Sequence, residues 1–417
     1  MQPATGDPRA RLIRLAILDD NPFVRLADGE IRPRAALFHR FAEAVVAAGP
    51  FEPARYLIPV ADLSSGEAEP SLGPVDQDRL RVVPTASFEG IAGYLRHGPD
   101  LARRNWPIVR DAVRGVDLVW IKAPASNALL ALVAARRSRR PFFTWVAGSA
   151  RAVVAGQPRK LGERLAATSV AAAYDAVTGL LTRTGPSHRL DEELFTSVVT
   201  ASEVAASRSM RSDRGSVSDA EGRARPFRIV WAGRIVADKG LRDLLTAMEI
   251  LRTDGVEVTL EVVGDGPDRP ALVDAARDLQ VDDAIRWAGF VGNRELYLAR
   301  LRAADAFVLP SHAEGVPKVL IEAMAAGLPI VATTVGAIPR LLDSGRLGHL
   351  VQAGDPGALA ASIGELQADP AERMRLRVAG LDFAAAHTIE SQAERLVDWL
   401  RESFPRLAWP RRGEQSG

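Results

Sequence analysis

The stretch AFVLPSHAEGVPKVLIEAMAAGLPIVAT, residues 306–333, contains a complete alternation of element types. AFVLP is an apolar run of strand length, KVLIEAMAAG has apolar residues at helical spacing, and PIVAT is a second apolar run. A strand, a helix and a strand in this order predict two parallel strands joined by a crossover helix. The stretch therefore predicts a parallel sheet whose faces are covered by helices.

The same alternation fills the second half of the chain. Apolar runs at 227–233, 256–264 and 284–290 predict strands, and the segments 241–252 and 270–280 between them have helical spacing. Regular alternation of this kind is typical of a parallel sheet with helices on both faces. The second half is therefore predicted to be a Rossmann-like domain.

The first half repeats this pattern less regularly. Its predicted strands are 11–20, 116–124, 141–148 and 176–183, and its predicted helices are 34–49 and 127–137. We expect a second, looser Rossmann-like domain. The predicted fold class is α/β, with two Rossmann-like domains facing each other across a cleft.

A polar segment separates the two halves. Residues 207–226 are rich in Ser, Arg, Asp and Gly and have no apolar periodicity, which is typical of a linker. The predicted domains are 1–206 and 227–385, on either side of this segment. Residues 386–417 are predicted to form a helix and tail that pack back on the first domain.

Composition excludes several classes of protein. The 417 residues include no cysteine, so disulfides and thiolate metal sites are excluded, and the net charge is only +1. No apolar run reaches the ~18 residues of a membrane span. We therefore expect a cytoplasmic protein.

Positive charge is concentrated in residues 81–190, which contain 17 Lys and Arg against 6 Asp and Glu. Two interpretations stay open, a solvated arginine-rich surface or a surface that meets anionic lipid at the inner face of a membrane or a phosphorylated acceptor. The basic residues are not interleaved with aromatic ones, so nucleic acid is not a predicted partner.

The segment GRIVADKG, residues 233–240, follows the first predicted strand of the second half. Gly233 permits close approach of the backbone to a ligand, and Arg234 and Lys239 flank the start of the next helix. Two cations beside a helix N-terminus predict an anion site. The alternative is a solvated turn whose cations pair with Asp238.

Two carboxylates lie where the stretch 306–333 passes from strand to helix. Glu314 is in the loop, and Glu322 is inside an apolar helix, where an idle charge is costly. Carboxylates accept hydrogen bonds from sugar hydroxyls. The backbone amides of Gly315, of Val316 and of the helix that starts at Pro317 favour an anion. This combination suits a sugar linked to a diphosphate.

Two further strand ends give weaker signals. VVGDGP, with Gly264, is either a structural turn or part of the ligand site, and GFVG places Phe290 and Val291 where a planar base could bind.

Together these motifs and VGAIPRLL (335–342) resemble the nucleotide-sugar half of retaining glycosyltransferases of family 4 (glycosyl transferases group 1), which have the GT-B fold. The resemblance covers about residues 225–399 and includes two glutamates separated by seven residues. It implies that Arg234 and Lys239 bind the donor diphosphate, that Glu314 contacts donor-sugar hydroxyls and that Glu322 contacts the ribose. It also implies that Gly315, Val316 and Pro317 lie along the sugar and phosphate.

The chain departs from the family pattern in three places. Arg340 stands where a glutamate is common. The first half has only Gly29 where a glycine pair is common, and Trp145 lies in a segment where many members place a histidine. The candidate acceptor-side residues are Gly29, Lys122 and Trp145.

The resemblance predicts an enzyme that moves a sugar, with retention, from a nucleotide-diphosphate sugar to a hydroxyl acceptor in polysaccharide or glycolipid synthesis. Arg234, Lys239 and Glu314 are the predicted catalytic residues, and neither a metal nor a cofactor is expected. His312 is the best placed of the single histidines, but no residue is a strong candidate for a base. The alternatives are a non-catalytic protein that binds a nucleotide sugar or a partner enzyme, and a nucleotide-sugar epimerase.

Overall fold

A computed structural model gives the structure of most of the chain. The described residues are 12–34, 38–63, 73–87, 90–123, 125–146, 161–189, 197–209 and 225–409. The chain divides into two compact units. Unit 1 comprises residues 1–196 and 389–417, and unit 2 comprises residues 197–388.

Unit 1 is a helix-covered sheet. Its described elements are β1 (Leu15–Leu18), β2 (Phe23–Arg25), β3 (Ile31–Pro33), α1 (Phe38–Ala48), β4 (Ala54–Asp62), β5 (Leu80–Ala86), α2 (Gly90–Arg114), β6 (Leu118–Ala123), α3 (Ala128–Arg137), β7 (Phe142–Val146), α4 (Leu161–Thr184) and β8 (Ser187–Arg189), followed near the C-terminus by α13 (Ile389–Ser403).

The sheet of unit 1 has the order β3-β2-β4-β1-β6-β7-β8, and β5 also pairs with β4. Only β3 runs antiparallel to its neighbour among the described strands. Aromatic side chains dominate the core on the face that α1 and α13 cover, where Phe41 and Trp120 pack with Trp145. Leu396 and Leu400 of α13 belong to the same core, so the helix from residue 389 is part of unit 1.

The prediction of a strand at 176–183 is wrong. These residues form the end of α4, in which alanine-rich sequence of high helix propensity precedes the apolar residues that suggested a strand. Helix α2 was not predicted either. Its two internal prolines, Pro99 and Pro107, interrupt the pattern from which a helix is recognised.

Unit 2 has a more regular succession of elements. It consists of α5 (Ala201–Ser209), β9 (Phe227–Ala232), α6 (Leu241–Thr253), β10 (Val258–Val263), α7 (Arg269–Asp278), β11 (Ile285–Gly289), α8 (Arg294–Ala303), β12 (Ala306–Leu309), α9 (Lys318–Ala325), β13 (Ile330–Thr333), α10 (Ile338–Leu341), β14 (His349–Val351), α11 (Pro356–Ala368) and α12 (Pro370–Ala386), within its described residues.

The sheet of unit 2 has the order β11-β10-β9-β12-β13-β14, and all of these pairs are parallel. Helix α6 buries Leu241, Leu244, Leu245 and Met248 on one face, as the spacing in the sequence predicts. Both faces of the sheet are covered, so its strands read as nearly continuous apolar runs. The predicted α/β fold is confirmed for both units.

The domain boundaries differ from the predicted ones. Residues 197–206 belong to unit 2 rather than to the first domain, and Ser207–Ser209 end helix α5 instead of opening a linker. Most of the predicted linker, 210–224, lies outside the described residues. At the other end unit 2 extends to residue 388, and the segment assigned to unit 1 starts at residue 389.

Within the part of the chain that the structure describes, no helix has both the length and the apolar character needed to cross a bilayer.

Candidate functional site

The order of strands in unit 2 points to one edge of its sheet. Strand β9 lies between β10 and β12, so the chain moves to one side of β9 first and to the other side later. In open parallel sheets, ligands bind beyond the carboxyl ends of the strands at such a reversal of order. Here those ends are followed by Gly233 and Arg234 after β9 and by Ser311 and Glu314 after β12.

Glycines bring the backbones of neighbouring loops together at this edge. Gly240 has φ +67°, and a Cβ there would overlap the carbonyl oxygen of Pro310. A Cβ on Gly264, whose φ is +144°, would overlap the carbonyl oxygen of Gly233. Both positions therefore need glycine, and the floor of the site is formed by backbone atoms.

Lys239 and Glu314 meet at this edge. Lys239 lies in a 3₁₀ turn, and its Nζ donates to Glu314 Oε1 at 2.9 Å. Ser311 Oγ donates to the same oxygen at 2.7 Å. The side chains of Lys239 and Glu314 are 23% and 11% exposed, so the pair is partly desolvated but open on one side. The alternative in which Asp238 neutralises the lysine is wrong, because the partner of Lys239 is Glu314.

Arg234 lies at the same edge of the sheet as Lys239 and Glu314. Its side chain is exposed, and among the described residues it has neither a hydrogen bond nor an ion pair. His312 is held away from the pair, because its Nε2 is 2.8 Å from Asp243 Oδ2 and its backbone amide donates to Asp238 O. The exposed guanidinium of Arg234 is therefore available to an anion, whereas the ammonium of Lys239 is already paired with Glu314.

Glu322 does not contact Glu314 or Lys239. It lies in α9, where Arg294 donates to its Oε1 and the Tyr297 hydroxyl donates to its Oε2 at 2.9 Å. The carboxylate is 12% exposed. Burial and the charge of Glu322 raise the pKa of Tyr297 well above its ordinary value, so its hydroxyl keeps its proton and remains a donor.

The other predicted donor residues also lie at this edge. Phe290 follows β11 and is 68% exposed, and Val291 beside it is half-buried. Gly315 is exposed with open space beside its Cα, Val316 is half-buried, and Pro317 is buried at the start of α9. Pro317, the N-cap residue of α9, makes no side-chain cap, and the positive end of the helix dipole lies at this edge.

Unit 1 has a comparable reversal of strand order around β1, which lies between β4 and β6. Asp19, directly after β1, is buried, and its Oδ1 accepts from Lys122 Nζ of β6 at 2.5 Å. Tyr56 of β4 donates to Asp19 Oδ2 at 2.6 Å. Asp20 accepts from Ser126 Oγ at 2.5 Å, and burial raises the pKa of its carboxyl group.

The acceptor-side predictions are partly overturned by this arrangement. Trp145 is fully buried against Trp120 and Phe41, so its side chain is part of the core and not of a ligand site. Gly29 lies in the exposed turn between β2 and β3, with φ +88°. Lys122 does lie at the carboxyl edge of the sheet, but its charge is neutralised by Asp19.

Sequence reasoning missed several residues around the predicted carboxylates. The pattern assigns no role to Ser311, although a hydroxyl three residues before Glu314 is a usable signal. Arg294 and Tyr297 lie on α8, at a spacing that places both on one face. Their contact with Glu322 joins residues 28 and 25 positions apart, which no local pattern reveals.

The described residues contain no group of three or more His, Asp or Glu side chains arranged to hold a metal ion. The expectation of a reaction without metal stays a prediction.

Residues 226–369 match the family model for glycosyl transferases group 1. This segment of the chain is similar to glycosyl transferases group 1. The resemblance seen in the motifs is therefore confirmed for the part of unit 2 that carries the Lys239–Glu314 pair.

Curated relatives match part of the chain. Glycogen synthase of Mycobacterium tuberculosis is 36% identical over 153 residues, which cover 37% of this chain and 37% of that protein. The putative colanic acid biosynthesis glycosyltransferase WcaL of Salmonella typhimurium is 36% identical over 146 residues, 34% of this chain and 36% of that protein. The matched segment thus spans little more than a third of each relative.

Solved structures extend the likeness to the whole chain at the level of fold. Sucrose-phosphate synthase of Thermosynechococcus elongatus superposes with a TM-score of 0.65 at 17% identity, covering 95% of this chain and 100% of that one. HepE of Anabaena in complex with UDP and glucose gives a TM-score of 0.59 at 16% identity with the same coverage. These neighbours confirm the fold class, two Rossmann-like units as in the GT-B glycosyltransferases.

Proposed function

We propose that the protein is a retaining glycosyltransferase that moves a sugar from a nucleotide-diphosphate sugar to a hydroxyl acceptor. The observation that carries the proposal is the Lys239–Glu314 pair, held at 2.9 Å at the carboxyl edge of unit 2, where the exposed Arg234 follows β9. Two cations that can bind phosphate, together with a carboxylate that can accept hydrogen bonds from hydroxyls, are suited to a sugar diphosphate. The match of residues 226–369 to the family model for glycosyl transferases group 1 supports the same reaction class.

The diphosphate leaving group is the part of the donor on which charge develops. The bond between the sugar C1 and the diphosphate oxygen breaks, and a bond from C1 to the acceptor oxygen forms. The acceptor hydroxyl gives its proton to the departing phosphate. Arg234, Lys239 and the first amides of α9 stabilise the charge on that phosphate, and they are in place before the reaction starts.

Glu314 and Glu322 bind the neutral parts of the donor in this proposal. Glu314 Oε1 already accepts from Lys239 and Ser311, which leaves Oε2 for hydroxyls of the sugar. Glu322 contacts the ribose, and the exposed ring of Phe290 lies where the base stacks. HepE, whose structure contains UDP and glucose, has the same fold.

The acceptor binds at the carboxyl edge of unit 1 in this proposal. Lys122 and Asp19 neutralise each other there, so the edge does not favour a phosphate. Asp20, whose carboxyl group accepts from the hydroxyl and the backbone of Ser126, is the polar group at this edge suited to a hydroxyl. A polysaccharide or glycolipid hydroxyl meets this requirement, and WcaL is a relative named for colanic acid biosynthesis.

The proposal includes binding to an anionic membrane, because unit 1 has a basic surface. Helices α2 and α3 expose Arg103, Arg114, Arg136 and Arg137, and Arg137 packs over the ring of Trp106 at 5.8 Å. Arginines around a tryptophan suit the headgroup region of an anionic bilayer. We expect the protein to co-sediment with phosphatidylglycerol vesicles at low salt but not with phosphatidylcholine vesicles. Equal binding to both kinds of vesicle would contradict the proposed membrane binding.

The donor is tested first by thermal unfolding of the purified protein with UDP, GDP, ADP and their sugar conjugates, with and without EDTA. A ligand that binds only the native state raises the melting temperature. Stabilisation by one nucleotide class that EDTA does not change supports a metal-independent transferase. No response to any of them favours the non-catalytic alternative.

The phosphate assignment is tested by Arg234→Ala and Lys239→Ala. Each change is expected to weaken binding of the nucleoside diphosphate by roughly 10-fold or more while leaving binding of the nucleoside almost unchanged. The matched control is Arg252→Ala, because Arg252 is at the opposite end of α6, where it pairs with Asp283. Equal losses for nucleoside and diphosphate contradict the assignment.

A further inference from the structure

Arg294, the first residue of α8, is the centre of a buried cluster of charges. Its Nε and one Nη donate to the two oxygens of Glu203 at 2.9 and 3.1 Å, and the same Nη donates to Val198 O at 3.0 Å. Its other Nη donates to Glu322 Oε1. The side chains of Arg294 and Glu203 are each 16% exposed, so little water competes for these bonds.

The guanidinium therefore joins two carboxylates from distant parts of unit 2. Burial alone lowers the pKa of Arg294, but hydrogen bonds to Glu203 and the charge of Glu322 outweigh it, and the net shift is upward. The planar fork of arginine satisfies both carboxylates and a carbonyl at once, which a lysine cannot do. Without Arg294, Glu203 and Glu322 would be two buried negative charges without a cation between them.

Glu203 is itself fixed in place. It forms a capping box with Thr200, in which Thr200 N donates to Glu203 Oε2 at 3.0 Å and Glu203 N donates to Thr200 Oγ1 at 3.2 Å. Arg302 donates to Glu203 O at 3.0 Å, and Arg377 donates to Ser207 O at 3.0 Å. Helix α5 is thus anchored to α8 and α12 by arginines.

Glu322 receives a defined orientation from this cluster. Arg294 holds one of its oxygens and Tyr297, one turn further along α8, holds the other at 2.9 Å. Each carboxylate oxygen has two lone pairs, so each can still accept one more hydrogen bond. A carboxylate fixed by two donors and open to two more is prepared for a vicinal pair of hydroxyls.

We propose that Arg294 is a positioning residue for Glu322 in donor binding, and that Glu203 of α5 holds Arg294 in the required orientation. The segment 197–209, at the start of unit 2, then contributes to the nucleotide site although none of its residues touches the ligand. This inference rests on the proposed function, specifically on the contact of Glu322 with the ribose.

The test measures nucleotide affinity by isothermal titration of the full chain with UDP, GDP and ADP and with their 2′-deoxy and 3′-deoxy analogues. Glu322→Ala is expected to weaken binding of the preferred diphosphate by roughly 10-fold and to abolish its preference over the deoxy analogues. Arg294→Met is expected to do the same, and Glu203→Gln to cause a loss of roughly 3-fold in the same direction. A purely structural role lowers the affinity for all analogues alike and leaves the preference intact.

The double variant Arg294→Met/Glu322→Ala separates coupling from coincidence. If Arg294 acts through Glu322, the double variant binds no more weakly than Glu322→Ala alone. Arg300→Met is the matched control, since Arg300 lies on the same helix and pairs with Glu261 of β10, and it is expected to keep the wild-type affinity. Arg294→Lys, which retains the charge, covers the case in which Arg294→Met does not fold.

The outcomes distinguish the inference from the proposed function. If the wild type binds none of the diphosphates, or if Glu322→Ala has no effect, the proposed donor site fails. If Glu322→Ala weakens binding but Arg294→Lys and Glu203→Gln keep the affinity and the preference, only the positioning role is overturned.

Discussion

The two sheets place a lysine and a carboxylate at the same topological position, where strand order reverses, yet the two pairs differ. Lys239 and Glu314 in unit 2 are 23% and 11% exposed, and Ser311 is the one additional donor to the carboxylate among the described side chains. Lys122 and Asp19 in unit 1 are 16% and 0% exposed, and Tyr56 and Asn21 also bond to the aspartate. The pair in unit 2 keeps part of its surface exposed, whereas the carboxylate of the pair in unit 1 is fully buried.

The sharpest test of this difference is to remove each cation. Lys122→Met leaves the fully buried Asp19 without a positive partner and is expected to destabilise unit 1 by about 3–5 kcal/mol. Lys239→Met is expected to cost unit 2 only about 1 kcal/mol, because Glu314 remains partly hydrated. Urea denaturation followed by hydrogen exchange of peptides from each unit gives both values, and equal losses would refute the distinction.

The glycines of unit 2 provide the next test. Gly240→Ala is expected to destabilise unit 2 by about 3 kcal/mol, because the new Cβ meets Pro310 O. Gly255→Ala is the matched control, since its φ of +75° is close to the +67° of Gly240 and nothing lies within 4 Å of its added Cβ. The control pays only for the left-handed backbone, about 1 kcal/mol. Similar losses in calorimetry would mean that the backbones at this edge can separate.

Replacement of Asp20 is expected to have the smallest effect on stability, and this effect depends on pH. Burial raises the pKa of Asp20 in the folded state, so the folded state binds more protons than the unfolded state above the ordinary pKa of about 4. Stability is therefore lost as pH rises through the raised pKa, and Asp20→Asn avoids that loss. The variant is expected to melt about 1–2 °C higher at pH 7, with no gain near pH 3.

The control for this experiment is Asp28→Asn, a change in the exposed turn between β2 and β3. It is expected to leave the melting temperature unchanged at both pH values. A gain for Asp20→Asn that persists at pH 3 would show that the carboxyl group is not the cause.

The sequence predicted unit 2 better than unit 1 for a physical reason. The strands and helices of unit 2 have regular periodicity, and the partners Ser311 and Glu314 are three residues apart, so local patterns contain most of the information. In unit 1, Asp19 and Lys122 are separated by 103 residues and meet only because β1 pairs with β6. Such a contact depends on strand order, which was not available from the pattern.

Two wrong predictions also show what local sequence patterns leave undetermined. Trp145 was assigned to the acceptor side because of the family position it occupies, but its side chain alternates inward on β7 and joins the core. Residues 176–183 were read as a strand from a short apolar run, which is ambiguous between strand and helix. The first outcome depends on packing against Phe41 and Trp120, which are not local in sequence, and the second on the alanine-rich sequence that precedes the run.

The path of the chain through unit 1 has a consequence for synthesis on the ribosome. The core of unit 1 includes Ile389, Ala393, Leu396 and Leu400 of α13, which are translated after all of unit 2. At about 5–20 residues per second, the ribosome needs roughly 10–40 s to translate residues 197–388. During that interval the nascent first segment exposes the apolar surface that α13 later covers, so unit 2 is completed first and the N-terminal segment is the one that needs protection by a chaperone.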